Sequence, residues 1–292
     1  LFLDNPLAER VGVISHFLPA QRGGVSSLIG GLRSIFGIPR RDDPGDILAE
    51  YEAPYAWTSG LAWDTENDWI WGLDYIDNRL YAINPENGEV VVNFGIEGNN
   101  RIGLFYLDDV LWVGGFNTRR TIFRYDREGN QLEPWVTEVD PAQICGISTD
   151  GNFIYVVYEN LPVRVFDQEG EQLALIEYSE AIDNAQILSL EWVSSHPRGQ
   201  MWLYGRSGHL YEFFVDRDWN CELIQDFEGQ GEQGRGIAHD GENLWLARFN
   251  AQDPTFYVID DGVQEITWLS YEPSEFEVEG EAKPLTQEQM IF

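Results

Sequence analysis

The chain has 292 residues, and its 50 acidic against 18 basic side chains give a formal net charge of −32. A surface with this charge repels phosphate polyanions and anionic lipids, so we expect no nucleic-acid partner and no binding to an anionic membrane. Apolar residues make up 43% of the chain, which is enough for a large core and argues against disorder. No run approaches the ~20 apolar residues of a transmembrane helix.

The acidic excess comes with almost no lysine, since Lys283 is the only one. This halophilic-like composition is typical of proteins that work in high salt or outside the cytoplasm. We therefore expect a secreted protein, extracellular or at the cell surface, from which a signal peptide has already been removed.

Residues 1–45 form the first predicted element, an N-terminal arm. Its first 41 residues hold five arginines and only two acidic side chains, so the arm is basic while the rest of the chain is acidic. The run Ser26–Ile38 has the apolar spacing of a short helix. Two roles stay open for the arm: a cover on the acidic remainder of the chain, or a docking arm for a protein partner or a second copy. The candidate interaction residues are Arg22, Leu28, Leu32, Arg33, Ile35 and Phe36.

Five internal repeats follow the arm, and three columns of residues align them. A small residue opens each unit, at steps of 43 or 47 residues: Gly60, Gly103, Gly146, Ser189 and Gly236. An aromatic residue follows in each unit: Trp71, Trp112, Tyr155, Trp202 and Trp245. An Asp or Asn comes later in each unit: Asn84, Asp126, Asp167, Asp216 and Asp260.

Each repeat predicts four short antiparallel strands. In the third unit they are Gly146–Ser148, Phe153–Tyr158, Val163–Phe166 and Gln172–Glu177. The turns between them, such as TDGN and REGN, accept a positive φ at little cost. Four strands in each ~43-residue repeat are typical of a β-propeller blade. We therefore predict an all-β propeller over residues 46–270, followed by an acidic, extended C-terminal tail over residues 271–292.

The blade number depends on two segments at the ends of the repeat array. Residues Asp46–Tyr51 read as a strand and precede the first repeat, while Val263–Leu269 reads as an outer strand of the last. If Asp46–Tyr51 joins the last blade, it closes a ring of five blades. If residues 1–52 build a blade of their own, the ring has six. We prefer five, because residues 1–52 lack the three repeat columns.

The loops that lead into the inner strands are the candidate ligand-binding positions. In a propeller they meet at one mouth of the central channel, together with the loops that join second and third strands. Four of the five residues that stand three positions before the small column are amides, and these could hold a polar ligand or only satisfy loop backbone groups. The candidate mouth residues are Trp57, Asn100, Arg101, Gln143, Gln186, Gln233 and Arg235.

Acidic residues predicted on the same face are candidate ligands for Ca²⁺, because Ca²⁺ prefers carboxylate and carbonyl oxygens. The candidates are Asp140 and Asp183. In a chain this acidic, convergence by chance is the alternative. No other cofactor is expected.

The remaining chemistry-bearing residues do not form a catalytic motif. No G-x-S-x-G elbow, P-loop or dinucleotide fingerprint is present, so no catalytic residue is assigned. No two histidines are close in sequence. We expect His196 to be exposed in its insertion and His239 to have a turn role on the face opposite the mouth. Cys145 begins an inner strand and Cys221 falls near an outer one, so we expect free thiols.

The strings GLAWDTENDWIWGLDYIDNRLYAINPENGEV and GIAHDGENLWLARF resemble the repeats of secreted bacterial propellers of the NHL, SMP-30/gluconolactonase-like and glutamine cyclotransferase-like groups. The resemblance covers about residues 46–270. The segment Trp57–Leu61 is similar to the T-Q-G-L opening of glutamine cyclotransferases, which are five-bladed, but Ser59 stands where that motif has Gln. The metal site of the lactonase-like proteins finds no residue-by-residue match in this chain.

Two functions from different classes follow from the sequence. The first is a non-catalytic extracellular or surface propeller that acts as a protein-interaction module or assembly subunit, with the arm contacting a partner or a second copy. The alternative is a small-molecule enzyme of the glutamine cyclotransferase or lactonase type, with its site at the channel mouth.

Overall fold

A computed structural model describes residues 44–263, except 99, 119, 139–141, 184, 197–198, 231–232 and 251. In this part of the chain the regular structure consists of twenty strands in five four-stranded antiparallel sheets. The predicted all-β propeller with five blades is thereby confirmed. None of the described residues belongs to a helix long and apolar enough to cross a membrane. The candidate arm residues and the predicted tail lie outside the described residues.

The strands follow the repeats from the inner to the outer edge of each blade. The chain begins with β1 (Ile47–Glu52). Blade 1 contains β2 (Thr58–Asp64), β3 (Trp69–Asp74), β4 (Arg79–Ile83) and β5 (Val90–Gly95). Blade 2 contains β6 (Arg101–Leu107), β7 (Val110–Gly115), β8 (Thr121–Tyr125) and β9 (Trp135–Val136). Blade 3 contains β10 (Ile144–Thr149), β11 (Ile154–Tyr158), β12 (Val163–Phe166) and β13 (Gln172–Ile176). Blade 4 contains β14 (Ile187–Trp192), β15 (Met201–Gly205), β16 (His209–Val215) and β17 (Cys221–Glu228). Blade 5 contains β18 (Gly236–His239), β19 (Leu244–Ala247) and β20 (Thr255–Ile259).

The ring is closed by β1, which takes the outer position of blade 5. It pairs antiparallel with β20, from Glu52 opposite Thr255 to Ile47 opposite Ile259. The Tyr51 ring stacks on Trp245 with ring centroids 5.3 Å apart. The predicted closure by residues 46–51 is therefore observed. Of the predicted outer strand Val263–Leu269 only Val263 is described, and it is not in a strand.

The small column lies where inner strands of neighbouring blades approach each other. A Cβ added to Gly60 would stand 2.8 Å from the Leu104 Cβ, and one added to Gly146 would stand 2.8 Å from the Ser189 Cα. Such contacts are shorter than atoms tolerate, so a larger side chain would push two blades apart. The pairing register also shifts beside this column, between Thr58 and Gly60 in blade 1. A β-bulge of this kind changes the direction of the side chains next to it.

The aromatic column packs between blades, and in three blades its polar atom is held by an aspartate from the first turn. Asp64 accepts from Trp71 Nε1 at 3.3 Å, Asp150 from Tyr155 Oη at 3.0 Å, and Asp240 from Trp245 Nε1 at 2.8 Å. Blades 2 and 4 carry apolar residues at the equivalent positions, Leu107 and Val193. There the buried indole nitrogens have no hydrogen-bond partner in the described part of the chain: Trp112 and Trp202.

The third column stabilises the turns between third and fourth strands. Asp126 Oδ1 accepts from the backbone N–H groups of Glu128 and Asn130 at 3.0 and 2.7 Å. Asp216 Oδ1 makes the equivalent bonds to Asp218 and Asn220, each at 2.9 Å. Asp and Asn are favoured here because their short side chains bond to the backbone just ahead of them.

Candidate functional site

The predicted mouth residues lie where the loops before the inner strands meet the loops between second and third strands. In blades 1 to 4 the backbone carbonyl of the residue three positions before the small column accepts an N–H from the neighbouring loop, at 2.8–3.1 Å. The acceptor and donor pairs are Trp57 with Tyr75, Asn100 with Phe116, Gln143 with Glu159, and Gln186 with Arg206. The backbone of this column therefore holds the two sets of loops together at one end of the ring.

The amide side chains in this column do not share one environment. Gln186 accepts from Arg206 Nη1 at 3.0 Å and donates to Glu159 Oε1 at 3.4 Å, so it links blades 3 and 4. Asn100 and Gln233 adopt positive φ values of 57° and 60°; this conformation is common for Asn in a tight loop and unusual for Gln. These contacts give the column a structural role, and ligand binding by the amides stays a prediction.

The Arg101 side chain packs against its own blade, blade 2. It is 5% exposed, its Nη2 donates to the carbonyl of Glu97 at 2.9 Å, and its guanidinium lies 3.4 Å from the centroid of the Phe123 ring. These contacts are all with blade 2 and the loop before it. Arg101 therefore braces that loop.

An aromatic wall lines the mouth between blades 1 and 5. Trp57 meets Phe249 edge to face with ring centroids 4.8 Å apart, and Tyr75 meets the same ring at 6.1 Å. The guanidinium carbon of Arg235 lies 5.3 Å from the Phe249 centroid. Three rings and one cation thus share a small region at this mouth, a combination suited to planar, charged groups.

Arg235 lies close to the axis of the propeller. Its electrostatic neighbours come from three other blades: Tyr75 from blade 1, Cys145 and Glu159 from blade 3, and Arg206 from blade 4. Only the centre of the ring is near all of these blades at once. The Nε and Nη1 atoms of Arg235 are buried without a hydrogen-bond partner in the described chain. Burial lowers the pKa of this guanidinium, but an arginine stays charged in proteins. The mouth therefore contains a desolvated cation with unused donors.

The thiol at the mouth is not an activated nucleophile. Cys145 is 1% exposed, and burial raises the pKa of its thiol to about 12. Only the thiolate attacks electrophiles, so this group is inert at neutral pH. Both Cys145 and Cys221 are free, as the sequence predicts.

The structure describes only one of the two predicted calcium ligands, so the Ca²⁺ site stays a prediction. Asp183 is exposed in the loop before β14 and borders an open groove of about 510 Å³ on blade 4, together with Glu180 and Asp226. Asp140 lies outside the described residues. Asp74, another acid of this face, is buried and accepts from three backbone N–H groups, those of Trp57, Ile76 and Asp77. Both Asp74 oxygens are therefore occupied by hydrogen bonds to the loop backbone.

A second polar cluster lies at the opposite end, between blades 4 and 5. Asp261 Oδ2 stands 3.3 Å from His196 Nε2 and 3.0 Å from His239 Nε2. Nδ1 of His196 lies 3.6 Å from Glu212 Oε1. The expectation that His196 is exposed is wrong: it is 7% exposed, because the loop after β14 folds back over β16. His239 does have the predicted turn role, since its Nδ1 accepts from Gly241 N–H at 3.1 Å.

Burial and ion pairing act in opposite directions on the pKa values of this cluster. Burial lowers the pKa of His196, but the hydrogen bond to Asp261 and the negative charges of Asp261 and Glu212 outweigh burial and raise it to about 9. Burial raises the pKa of Asp261, but hydrogen bonds from His196 and His239 outweigh it, so this pKa lies well below its ordinary value. In this cluster an imidazolium therefore stands between two carboxylates.

Sequence reasoning missed this cluster because its members are far apart in the chain. His196 comes from the loop after the first strand of blade 4, His239 from the end of β18 and Asp261 from the turn after β20. One signal was present: the step from Ser189 to Gly236 is 47 residues instead of 43, and the longer loop contains His196.

Comparison with solved structures places the chain among β-propellers. Myxococcus xanthus glutaminyl cyclase matches with a TM-score of 0.57 and 14% sequence identity, over 74% of this chain and 97% of that one. A luciferin-regenerating enzyme matches with a TM-score of 0.53 and 9% identity, over 73% and 95%. The calcium-binding protein regucalcin from Agrobacterium tumefaciens matches with a TM-score of 0.49 and 14% identity, over 76% and 96%.

The likenesses to the glutaminyl cyclase and to the luciferin-regenerating enzyme confirm the predicted resemblance at the level of the fold. No family model matches the sequence, and no curated protein matches it either.

Proposed function

We propose that the protein binds a small carboxylate-bearing molecule at the axial mouth, with Arg235 as its principal contact. The observation that carries this proposal is the pair of buried guanidinium nitrogens, Nε and Nη1, that have no partner among the described residues. A buried donor without an acceptor costs about 1–3 kcal/mol, and more when it is charged. A carboxylate lowers that cost, because a negatively charged oxygen accepts strong, charge-assisted hydrogen bonds from a guanidinium.

The surroundings of Arg235 narrow the ligand class. The Trp57, Tyr75 and Phe249 rings offer an apolar surface beside the cation, so a planar or aromatic carboxylate gains stacking area. The chain as a whole carries a net charge of −32, which repels ligands with several negative charges. A single carboxylate on a small planar body is therefore the expected ligand.

If the bound molecule is also converted, the protein is an enzyme of the glutamine cyclotransferase or lactonase type, with its active site at the same mouth. This hypothesis is motivated by the fold shared with proteins named glutaminyl cyclase and luciferin-regenerating enzyme. A fold does not fix an activity, so the binding step is the part that the geometry of this chain supports. A reaction is tested directly by incubating the protein with a glutaminyl peptide or a lactone and analysing the products.

The binding proposal is tested by calorimetry with phenylacetate and with phenylacetamide, a neutral molecule of the same shape. We expect the carboxylate to bind and the amide to bind at least tenfold more weakly. Arg235→Gln should lose about ten- to a hundredfold in affinity for phenylacetate, since a charged hydrogen bond is worth about 1.5–3 kcal/mol.

Arg79→Gln is the matched control, because Arg79 lies on blade 1 and bonds to Asn93 in an exposed pair. It should bind phenylacetate as the wild type does. Equal affinity for the amide and the carboxylate, or undiminished binding by Arg235→Gln, would overturn the proposal.

A second candidate, the protein-interaction module, is favoured by apolar side chains that remain exposed on the outer strands of all five blades. They are Ile47, Leu48, Val90, Val91, Val136, Leu173, Leu175 and Ile224. Light scattering on the full chain and on a chain that starts at residue 44 tests self-association through the arm. A larger mass for the full chain alone supports that role, and equal monomer masses refute it.

A further inference from the structure

We propose that His196, His239 and Asp261 form a binding site for a zinc-type divalent metal ion, at the end of the propeller opposite the axial mouth. The three side chains are buried and come from three separate elements of blades 4 and 5. Their ligand atoms all lie within 4.8 Å of one another. Two imidazole nitrogens and one carboxylate oxygen are the ligand set of many zinc sites.

The observed spacing is close to what the metal requires. Zinc binds nitrogen and oxygen ligands at about 2.0–2.2 Å, so ligand atoms on a tetrahedron stand roughly 3.3–3.6 Å apart. Asp261 Oδ2 lies 3.0 Å from His239 Nε2 and 3.3 Å from His196 Nε2. An ion can therefore take the place of the two bridging protons. The ligand atoms of His196 and His239 lie within 4.8 Å of each other, so the two rings approach each other when the ion binds. A fourth position remains for water.

Groups behind the ligands are placed to orient them. Nδ1 of His196 faces the carbonyl of Gly199 at 3.3 Å and Glu212 Oε1 at 3.6 Å. A proton on Nδ1 is held there, which leaves Nε2 free to bind a metal; metal-bound histidines usually have such a carbonyl or carboxylate behind them. Glu212 is 1% exposed, and its Oε1 has no hydrogen-bond partner among the described residues. Its other oxygen is fixed by Gln225 Nε2 at 2.7 Å.

The charge of the site also favours a cation. Asp261 and Glu212 are both 1% exposed, and such buried carboxylates need nearby positive charge. A divalent ion supplies more of it than a single imidazolium does. Imidazole ligands suit zinc and its neighbours among the transition metals, whereas Ca²⁺ and Mg²⁺ prefer oxygen ligands. The inferred ion is therefore different from the Ca²⁺ that the acidic sequence suggests.

Metal binding requires one local rearrangement. His239 Nδ1 now accepts from Gly241 N–H at 3.1 Å, which places the ring proton on Nε2. Binding of a metal at Nε2 moves that proton to Nδ1, so the Gly241 amide must turn away toward solvent. Gly241 is exposed, and a side-chain atom built on it would meet nothing within 4 Å. The turn thus has room to move, and the movement provides a signal for binding.

The test uses the full chain, stripped with EDTA and then titrated with Zn²⁺ by calorimetry and with Co²⁺ by visible absorption. We expect one equivalent to bind, with the absorption of tetrahedral Co²⁺. His239→Gln and Asp261→Asn should each weaken binding by at least tenfold. His209→Gln is the control, because His209 and Asp226 form an exposed imidazole–carboxylate pair, 2.7 Å apart, on the outside of blade 4.

A second measurement does not depend on the variants folding well. In the wild type, Zn²⁺ should shift the amide resonance of Gly241 and move the His239 ring proton from Nε2 to Nδ1, as read by ¹⁵N nuclear magnetic resonance. Uptake far below one equivalent, or an unchanged His239 tautomer at saturation, would overturn the proposal. So would a loss of affinity in His209→Gln equal to that in the cluster variants.

Discussion

The protonation of His196 should make the stability of the metal-free protein fall as the pH rises. His196 joins the loop after β14 to β16 through Glu212 and to the turn after β20 through Asp261. Its pKa is about 9 in the folded protein against 6.5 as the ordinary value, so folding favours the charged form. A group whose pKa is raised by folding contributes fully below its unfolded pKa and loses that contribution as the pH rises through its folded pKa. The affected range is therefore about pH 6.5 to 9.

The size of the effect follows from the same two pKa values. Each pH unit between them changes the free energy of unfolding by about 1.4 kcal/mol, so the full contribution of His196 is ~3 kcal/mol. The residue is 7% exposed, which leaves little screening by solvent. That amount is a substantial share of the 5–15 kcal/mol that typically stabilises a protein.

The assay is urea unfolding of wild type and His196→Gln, in EDTA, between about pH 6.5 and 9.5. We expect the wild type to be ~3 kcal/mol more stable at the lower pH and the two proteins to converge at the upper one. His209→Gln, on the outside of blade 4 and paired with the exposed Asp226, should stay within about 0.5 kcal/mol of wild type. Two curves that run parallel over this range would show that the His196 ion pairs do not act as the geometry implies.

Three further predictions concern the packing between blades. Glu191 accepts from Ser148 Oγ at 3.2 Å, and burial raises its pKa to about 8, so folding disfavours its charged form. Glu191→Gln should therefore gain stability relative to wild type as the pH rises from about 4.5 to 8. A constant difference between the two proteins in denaturant titrations over this range would contradict the prediction. Asp240→Ala leaves the buried Trp245 indole without its acceptor and should lower the free energy of unfolding by about 1–3 kcal/mol, measured by thermal or urea unfolding. The control Asp218→Ala, at an exposed position, should lower it by less than about 0.5 kcal/mol. Deletion of residues 1–52 removes β1 from blade 5 and should abolish cooperative unfolding, measured by circular dichroism; a chain that still unfolds in one sharp transition would show that the ring does not need this closure.

Local chemistry made the architecture readable from the sequence. The residue type in each of the three repeat columns is explained by contacts within the same blade or with the neighbouring blade. Gly60 permits close approach of the next inner strand, Trp71 fills the space between blades, and Asp126 bonds to the turn that follows it. Because each reason repeats about every 43 residues, five blades could be counted. The closing strand was predicted at Asp46–Tyr51 and is observed at Ile47–Glu52; it was recognised because it has the composition of an outer strand without a blade of its own.

The candidate mouth shows where sequence reasoning stops. Arg101 stands two positions before the small column of its blade and Arg235 one position before, and both are mouth candidates from the sequence. The structure separates them: Arg101 turns beneath blade 2 against Phe123, whereas Arg235 reaches the axis among groups of blades 1, 3 and 4. Successive strand residues point to opposite sides, and the bulges beside the column alter that alternation. The direction of a side chain therefore depends on the pairing register of its strand, which cannot be read from the sequence.

By itself, the sequence determined the strand pattern, favoured five blades over six and predicted free cysteines, because these depend on residue type and on spacing within one repeat. Only the tertiary structure decided which groups from different repeats share a site. It buried His196, brought it to His239 and Asp261, and left the Arg235 donors unused at the axis. The physical reason is that closing a ring of blades creates contacts between residues more than forty positions apart, and these contacts set burial, charge and geometry together.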